Sequence, residues 1–205
     1  MGFPSFFSEA PRITLRDPLA AFLGAAEGGL IEYSYTDAVR LAGHSCPTVA
    51  GTWLMARAGL AALHGDEVPE RGAIEVSMSG WEDEGTTGVM AQVFTLLTGA
   101  AAENGFHGIG GRFDRRHLLR YGSGEPGTVA RLSRRGNGAT VDVSMDLSGV
   151  PFAPDMRPLM MRAMAAGADE DDLVAFGAAW QDRVRRILID HADDPALIRV
   201  LPVAA

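Results

Sequence analysis

The run RRGNGATVDVSMDL, residues 134–147, decides the fold more than any other part of the chain. Its Gly-Asn-Gly segment at 136–138 is typical of a β-hairpin turn, because glycine and asparagine accept the positive φ angles that tight turns need. Over residues 141–147 apolar and polar side chains then alternate, which is the pattern of a strand with one buried face. With a second strand over 128–134, the run predicts an antiparallel sheet.

Upstream of the hairpin, helix and strand patterns follow one another. Apolar side chains recur every three or four residues over 47–63, and a proline opens this predicted helix. Residues 73–79 alternate as a strand, 86–102 form a second helical pattern, and short strands are predicted near 106–110 and 117–121. The order predicts an α+β fold: an α-β-α-β-β-β core with a largely antiparallel mixed sheet, plus C-terminal helices.

Both ends of the chain are predicted to be helical additions to this core. Asp17-Pro18 is typical of an N-cap followed by proline in the first helical turn. Residues 169–187 combine an acidic start with an apolar stripe, as expected for an amphipathic helix. We therefore expect an N-terminal helical segment over 1–35, an α+β domain over 36–150, and a C-terminal helical extension over 151–205 packed on the same domain.

Composition argues against several classes of function. The 205 residues carry a formal net charge of −8, which disfavours binding to nucleic acid or to an anionic membrane. No stretch approaches about 18 consecutive apolar residues, as a membrane-spanning helix would need. The N-terminus also lacks the pattern of a secretory signal, so we expect a cytoplasmic protein that engages neither nucleic acid nor membrane.

Arginines cluster locally despite the acidic total. Arg112, Arg115, Arg116 and Arg120 lie within nine positions of one another. Such a group indicates either the solvated outer faces of strands or a functional feature, namely an anion pocket or a subunit contact.

The run GHSCP, residues 43–47, is the strongest candidate for chemistry. Cys46 is the only cysteine, so a metal site must combine its thiolate with histidine, carboxylate or water. It lies two residues after His44 and directly before a predicted helix, where free N–H groups and the helix dipole stabilise an anion. Thiolate and neutral imidazole are both good zinc ligands. The same residues also suit a Cys–His nucleophile pair, or a small buried side chain beside a capping histidine.

Four further residues are candidates to complete the site. Glu82, Asp83 and Glu84 lie between a predicted strand and the N-terminus of the next helix. Asp83 and Glu84 are candidate metal ligands, and Glu82 or Asp83 is a candidate general base toward metal-bound water. Acidic residues at a helix start also occur simply because they complement the helix dipole. His107, in a glycine-flanked turn, is the remaining candidate ligand, with plain solvent exposure as the alternative.

The GHSCP run resembles the Gly-His-x-Cys-Pro signature of the FmdE-like family of formylmethanofuran dehydrogenase subunits. The similarity continues through 80–99, the segment 108–112 and the Tyr121-Gly122 step, and covers about 36–150. Two departures are visible. Thr48 stands where the family often has glycine, and 108–112 contains no second cysteine.

The resemblance implies the α-β-α-β-β-β core, a metal ion bound at His44 and Cys46, and frequent homodimers. We expect one zinc ion per subunit, serving a redox or one-carbon system together with a redox partner protein. Two alternatives are a metal-dependent enzyme with an open metal position and an acidic general base, and an iron- or haem-binding redox or sensor protein. A plain interaction protein that docks another subunit through 173–187 is a further alternative.

Overall fold

The computed structural model describes residues 2–123, 125 and 127–204. Its α-helices and β-strands, in chain order, are β1 (Ile13–Arg16), α1 (Pro18–Phe22), β2 (Leu30–Tyr33), α2 (Tyr35–Ala42), α3 (Pro47–His64), β3 (Ile74–Met78), α4 (Thr87–Thr98), β4 (Leu119–Arg120), β5 (Ala130–Arg134), β6 (Thr140–Met145), α5 (Met156–Ala163), α6 (Glu170–Arg185) and β7 (Ile198–Pro202).

The main sheet has five strands in the order β4-β3-β5-β6-β7. Every neighbouring pair is antiparallel except β3 and β4, which run parallel. The predicted hairpin joins β5 to β6, with Leu132 opposite Val141 and Gly138 at a φ of 72° in the turn. The α+β prediction is confirmed, and α3-β3-α4-β4-β5-β6 is the expected α-β-α-β-β-β order.

Helix α3 is the centre of the hydrophobic core. Trp53 in its middle is fully buried, and its indole N–H donates to the carbonyl of Pro11 at 2.9 Å. Two glycines bring the helix close to the sheet: a Cβ on Gly51 would lie 2.5 Å from Sδ of Met145, and one on Gly59 2.5 Å from Cδ1 of Leu132. Because neither glycine has a side chain, α3 packs closely on β5 and β6.

The two ends of the chain contain strands as well as helices, which corrects the purely helical prediction for both. Strands β1 and β2 of the N-terminal segment pair antiparallel as a separate two-stranded sheet. At the C-terminal end β7 pairs with β6 and forms an edge of the main sheet. Each of these strands has four or five residues, too few for a clear alternation to stand out in the sequence.

Two internal elements also differ from prediction. Residues 106–110 form no strand but only an isolated bridge between Ile109 and Arg112, because Gly108, Gly110 and Gly111 all have positive φ angles. Helix α4 ends at Thr98 rather than near 102, since Gly99 follows in the left-handed conformation. Among the described residues, no helix combines the length and apolar character needed to cross a membrane.

Candidate functional site

The GHSCP run forms the turn between α2 and α3. Gly43 ends α2 in the left-handed conformation, with a φ of 73°. Cys46 is the N-cap of α3, and its Sγ accepts a hydrogen bond from the backbone N–H of Val49 at 3.5 Å. The position of Cys46 at this helix end is the predicted one; its side chain is half-buried, while that of His44 is exposed.

The ring of His44 is oriented by its own turn. Nδ1 lies 2.9 Å from the carbonyl oxygen of Ala42. A hydrogen bond there places the proton on Nδ1 and leaves Nε2 with a free lone pair. Metal-ligating histidines commonly donate their second ring N–H to such an acceptor. The arrangement therefore suits His44 for coordination through Nε2.

Helix α6 holds this turn in place through Ser45. The Ser45 carbonyl accepts hydrogen bonds from the indole N–H of Trp180 at 3.0 Å and from Nε2 of Gln181 at 3.1 Å. Its hydroxyl lies 2.9 Å from that of Tyr35, which is fully buried. Burial raises the pKa of Tyr35, so the phenol stays protonated. The sequence pattern placed Trp180 in an apolar stripe and did not indicate its hydrogen bond to the Ser45 carbonyl.

The structure does not bring a complete metal site together. Within residues 2–123, 125 and 127–204, no three His, Cys, Asp or Glu side chains are grouped closely enough to hold a metal ion. Glu84 instead accepts a hydrogen bond from the backbone N–H of Trp81 at 3.1 Å, a local contact at the start of α4. Asp83 and His107 are exposed. His44 and Cys46 thus provide two donors of the right chemical kind, without Asp83, Glu84 or His107 beside them.

A cavity of about 640 Å³ lies between α1, α4 and residues 99–106. Glu82, the candidate general base, lines it together with Tyr121, whereas His44 and Cys46 are not among its lining residues. The other charged groups that line it are Asp17, Arg71 and Arg115. This cavity is therefore distinct from the His-x-Cys turn.

Asp17 is the centre of a buried ionic cluster. As N-cap of α1 it accepts the backbone N–H of Leu19 at 2.8 Å through Oδ1, which also accepts Nη2 of Arg115 at 2.8 Å. Oδ2 accepts Nη1 of Arg71. Burial alone would raise the pKa of Asp17, but the charges of Arg115 and Arg71 outweigh it and lower that pKa below its usual range. The carboxylate is therefore ionised at neutral pH.

Arg71 connects this cluster to the C-terminus of α4. Its Nε donates to the carbonyl of Leu97 at 2.9 Å and its Nη2 to that of Leu96 at 3.0 Å. Carbonyls at the end of a helix lack intrahelical partners and carry the negative end of the dipole, so a guanidinium stabilises them. The arginine cluster noted in the sequence includes Arg115, so the sequence indicated one member of this ionic cluster. No sequence pattern indicated Arg71.

Comparison with models of known protein families finds no match to this chain, and comparison with curated proteins finds none either. The resemblance to the FmdE-like family stays a prediction that depends on residues 43–47 and on the order of the later glycine-containing segments.

Proposed function

We propose that the protein is a metal-binding module that holds one zinc ion per subunit through Nε2 of His44 and Sγ of Cys46. The observation that carries this proposal is the hydrogen bond from His44 to the Ala42 carbonyl, which leaves Nε2 free two residues from a cysteine at a helix N-terminus. Imidazole nitrogen and thiolate sulfur are both donor atoms that zinc prefers.

The number of donors sets the rest of the proposal. Zinc takes about four ligands in structural sites and about three plus water in catalytic ones. Because the described part of one chain groups no third candidate with His44 and Cys46, we propose that a second copy of the chain and water fill the remaining positions. The working form is then a homodimer, in the cytoplasm, serving a redox or one-carbon system with a redox partner protein.

A second candidate is a metal-dependent enzyme with Glu82 or Asp83 as general base. One observation favours it: Glu82 lines the cavity of about 640 Å³, which is large enough for a small substrate. Such an enzyme would need its metal to face the cavity, but His44 and Cys46 do not line the cavity. We therefore place it second. An iron- or haem-binding protein remains the third alternative, and visible absorption distinguishes it.

Elemental analysis of protein purified without chelators, and again after equilibration with zinc and gel filtration, tests the proposal. We expect about one zinc per chain and no visible absorption. His44→Ala and Cys46→Ser should both reduce zinc to background, whereas His117→Ala, at another exposed histidine, should retain it. Serine is itself a favourable N-cap, so Cys46→Ser keeps α3 capped. Zinc-free protein in both preparations, or zinc retained by both site variants, would refute the site.

Light scattering tests the dimer separately. We expect a mass of twice the 21.7 kDa of one chain for the zinc-loaded protein, and a shift toward the single-chain mass for His44→Ala. A monomer with full zinc content would remove the second copy of the chain from the proposal.

A further inference from the structure

The cavity beside Asp17 is lined by an unusual combination of groups. One part carries Arg71, Arg115 and Tyr33. The remainder combines apolar residues, among them Leu96, Phe106 and Leu119, with polar ones, among them Glu82, Gln92 and Asn104. A volume of about 640 Å³ falls in the range of small-molecule sites. A charged group at one part of a lining that mixes polar and apolar residues fixes the orientation of a ligand that carries the opposite charge.

Arg115 is the group whose bonding is incomplete. Its side chain is only 8% exposed. Of its five N–H donors, the described structure pairs only one, on Nη2, with Asp17. Nη1 is buried and has no hydrogen-bond partner among the described residues. Because Nη1 is closed off from solvent, a ligand in the cavity meets Arg115 through its other unpaired N–H donors, on Nε and Nη2, and these make Arg115 a candidate for a missing ligand.

Two glycines make room for this guanidinium. A Cβ on Gly72 would lie 1.8 Å from Nη1 of Arg115, and a Cβ on Gly99 3.1 Å from the same atom. Gly99 also lines the cavity. The backbone around Arg115 is therefore shaped for a guanidinium at this position.

The cluster has more positive than negative charge. Asp17 already accepts hydrogen bonds from both arginines and from the N-terminus of α1. Its single negative charge is therefore shared between two guanidinium groups. Glu70, the other carboxylate that acts on Arg115, is paired with Arg16. Two guanidinium groups facing one carboxylate leave one positive charge at this cluster; Glu82, the fourth charged side chain of the lining, is not among the main charges that act on Asp17 or Arg115.

We infer that this cavity binds a small organic monocarboxylate, with the ligand's carboxylate on Arg115 and its apolar part against Leu96, Phe106 and Leu119. The two oxygens of a carboxylate match the fork of a guanidinium. A single negative charge balances the cluster, whereas a phosphate dianion would exceed it. This site is independent of zinc at His44 and Cys46.

Isothermal titration with hexanoate and benzoate tests the inference, at constant ionic strength. Hexanamide and benzamide are the uncharged controls of the same shape, and inorganic phosphate is the control for simple anion attraction. We expect both carboxylates to bind at least about tenfold more tightly than their amides, which lose the charge-assisted hydrogen bond, and than phosphate, which has no apolar part to pack against Leu96, Phe106 and Leu119. Equal affinity for carboxylate and amide, tighter binding of phosphate, or no binding at all would overturn the inference.

Three variants locate the binding in the cavity. Arg115→Lys should weaken hexanoate binding at least about tenfold, because an ammonium lacks the fork. Since that variant also alters the cluster, Ala102→Phe provides a second test: Ala102 lines the cavity, its side chain forms no hydrogen bond, and a phenyl group there should obstruct the ligand. Arg183→Lys, at an arginine bonded to the carbonyls of Val150 and Leu147, is the matched control and should bind normally. Unchanged binding by a folded Ala102→Phe would refute the site.

A repeat of the titration on Cys46→Ser separates this site from the zinc proposal. We expect unchanged hexanoate binding in that variant, whatever its zinc content. Loss of binding together with loss of zinc would place the carboxylate on the metal instead and would overturn the assignment to Arg115.

Discussion

Nη2 of Arg115 donates to Oδ1 of Asp17 at 2.8 Å, across 98 positions of the chain. This bond joins the start of α1 to the segment that follows α4, and Arg71 reinforces it from a third position. Residues 2–35 are consequently packed in the same unit as the main sheet, and Leu15 and Tyr35 belong to its hydrophobic core.

Removing the charge of Asp17 should destabilise the fold strongly. Asp17→Asn leaves the buried guanidinium of Arg115 and the partly buried one of Arg71 facing a neutral amide, and we expect the free energy of unfolding to fall by about 3 kcal/mol. Urea denaturation measures this. Asp193→Asn is the control: Asp193 pairs with Arg57 but is 82% exposed, so its loss should cost less than about 1 kcal/mol. Equal effects of the two substitutions would show that burial of the cluster does not matter.

The same carboxylate should make stability sensitive to acid. The pKa of Asp17 is lower in the folded than in the unfolded chain, so its contribution is fully present above the unfolded value of about 3.9 and is lost as pH falls toward the folded value. We expect the urea midpoint to decline on acidification below about pH 5, and to decline less steeply in Asp17→Asn. Parallel curves for wild type and variant would contradict this account.

Two helical glycines should respond in opposite directions to alanine. A Cβ on Gly59 in α3 would meet Leu132 at 2.5 Å and Val143 at 3.0 Å, so Gly59→Ala should destabilise by about 1–3 kcal/mol through overpacking. Gly177 in α6 has nothing within 4 Å, and Gly177→Ala should stabilise by about 0.5–1 kcal/mol through helix propensity. Thermal unfolding compares the two; a gain for Gly59→Ala would mean that α3 can move away from the sheet.

Loss of the Trp180 indole N–H should loosen the turn that carries Cys46. Trp180→Phe removes one of the two hydrogen bonds from α6 to the Ser45 carbonyl, at a cost of about 1 kcal/mol. Since Cys46 is the only thiol, its rate of reaction with a disulfide reagent reports directly on this turn, and we expect that rate to rise. Trp81→Phe, at a tryptophan that is 64% exposed, should leave the rate unchanged. An unchanged rate in Trp180→Phe would mean that the turn is rigid without α6.

Local patterns were sufficient for the central elements of the fold. The N-cap position of Cys46, the helix over Pro47–His64 and the hairpin between β5 and β6 depend on short-range capping, periodicity and turn preferences, and all were predicted. Strand β7 was not, because five residues at a sheet edge acquire their conformation from pairing with β6.

The candidate site likewise has a part that the local sequence determines and a part that only the fold determines. Sequence by itself determined that one cysteine follows a histidine at a helix start, because capping and the Gly-His-Ser-Cys-Pro order are local properties. Only the tertiary structure decided which groups surround Asp17, since its partners Arg71 and Arg115 are 54 and 98 positions away. Ionic contacts over such separations leave no periodic signal in a sequence. They arise when folding brings distant segments of the chain together, excludes water and leaves each buried charge to find its partner within the protein.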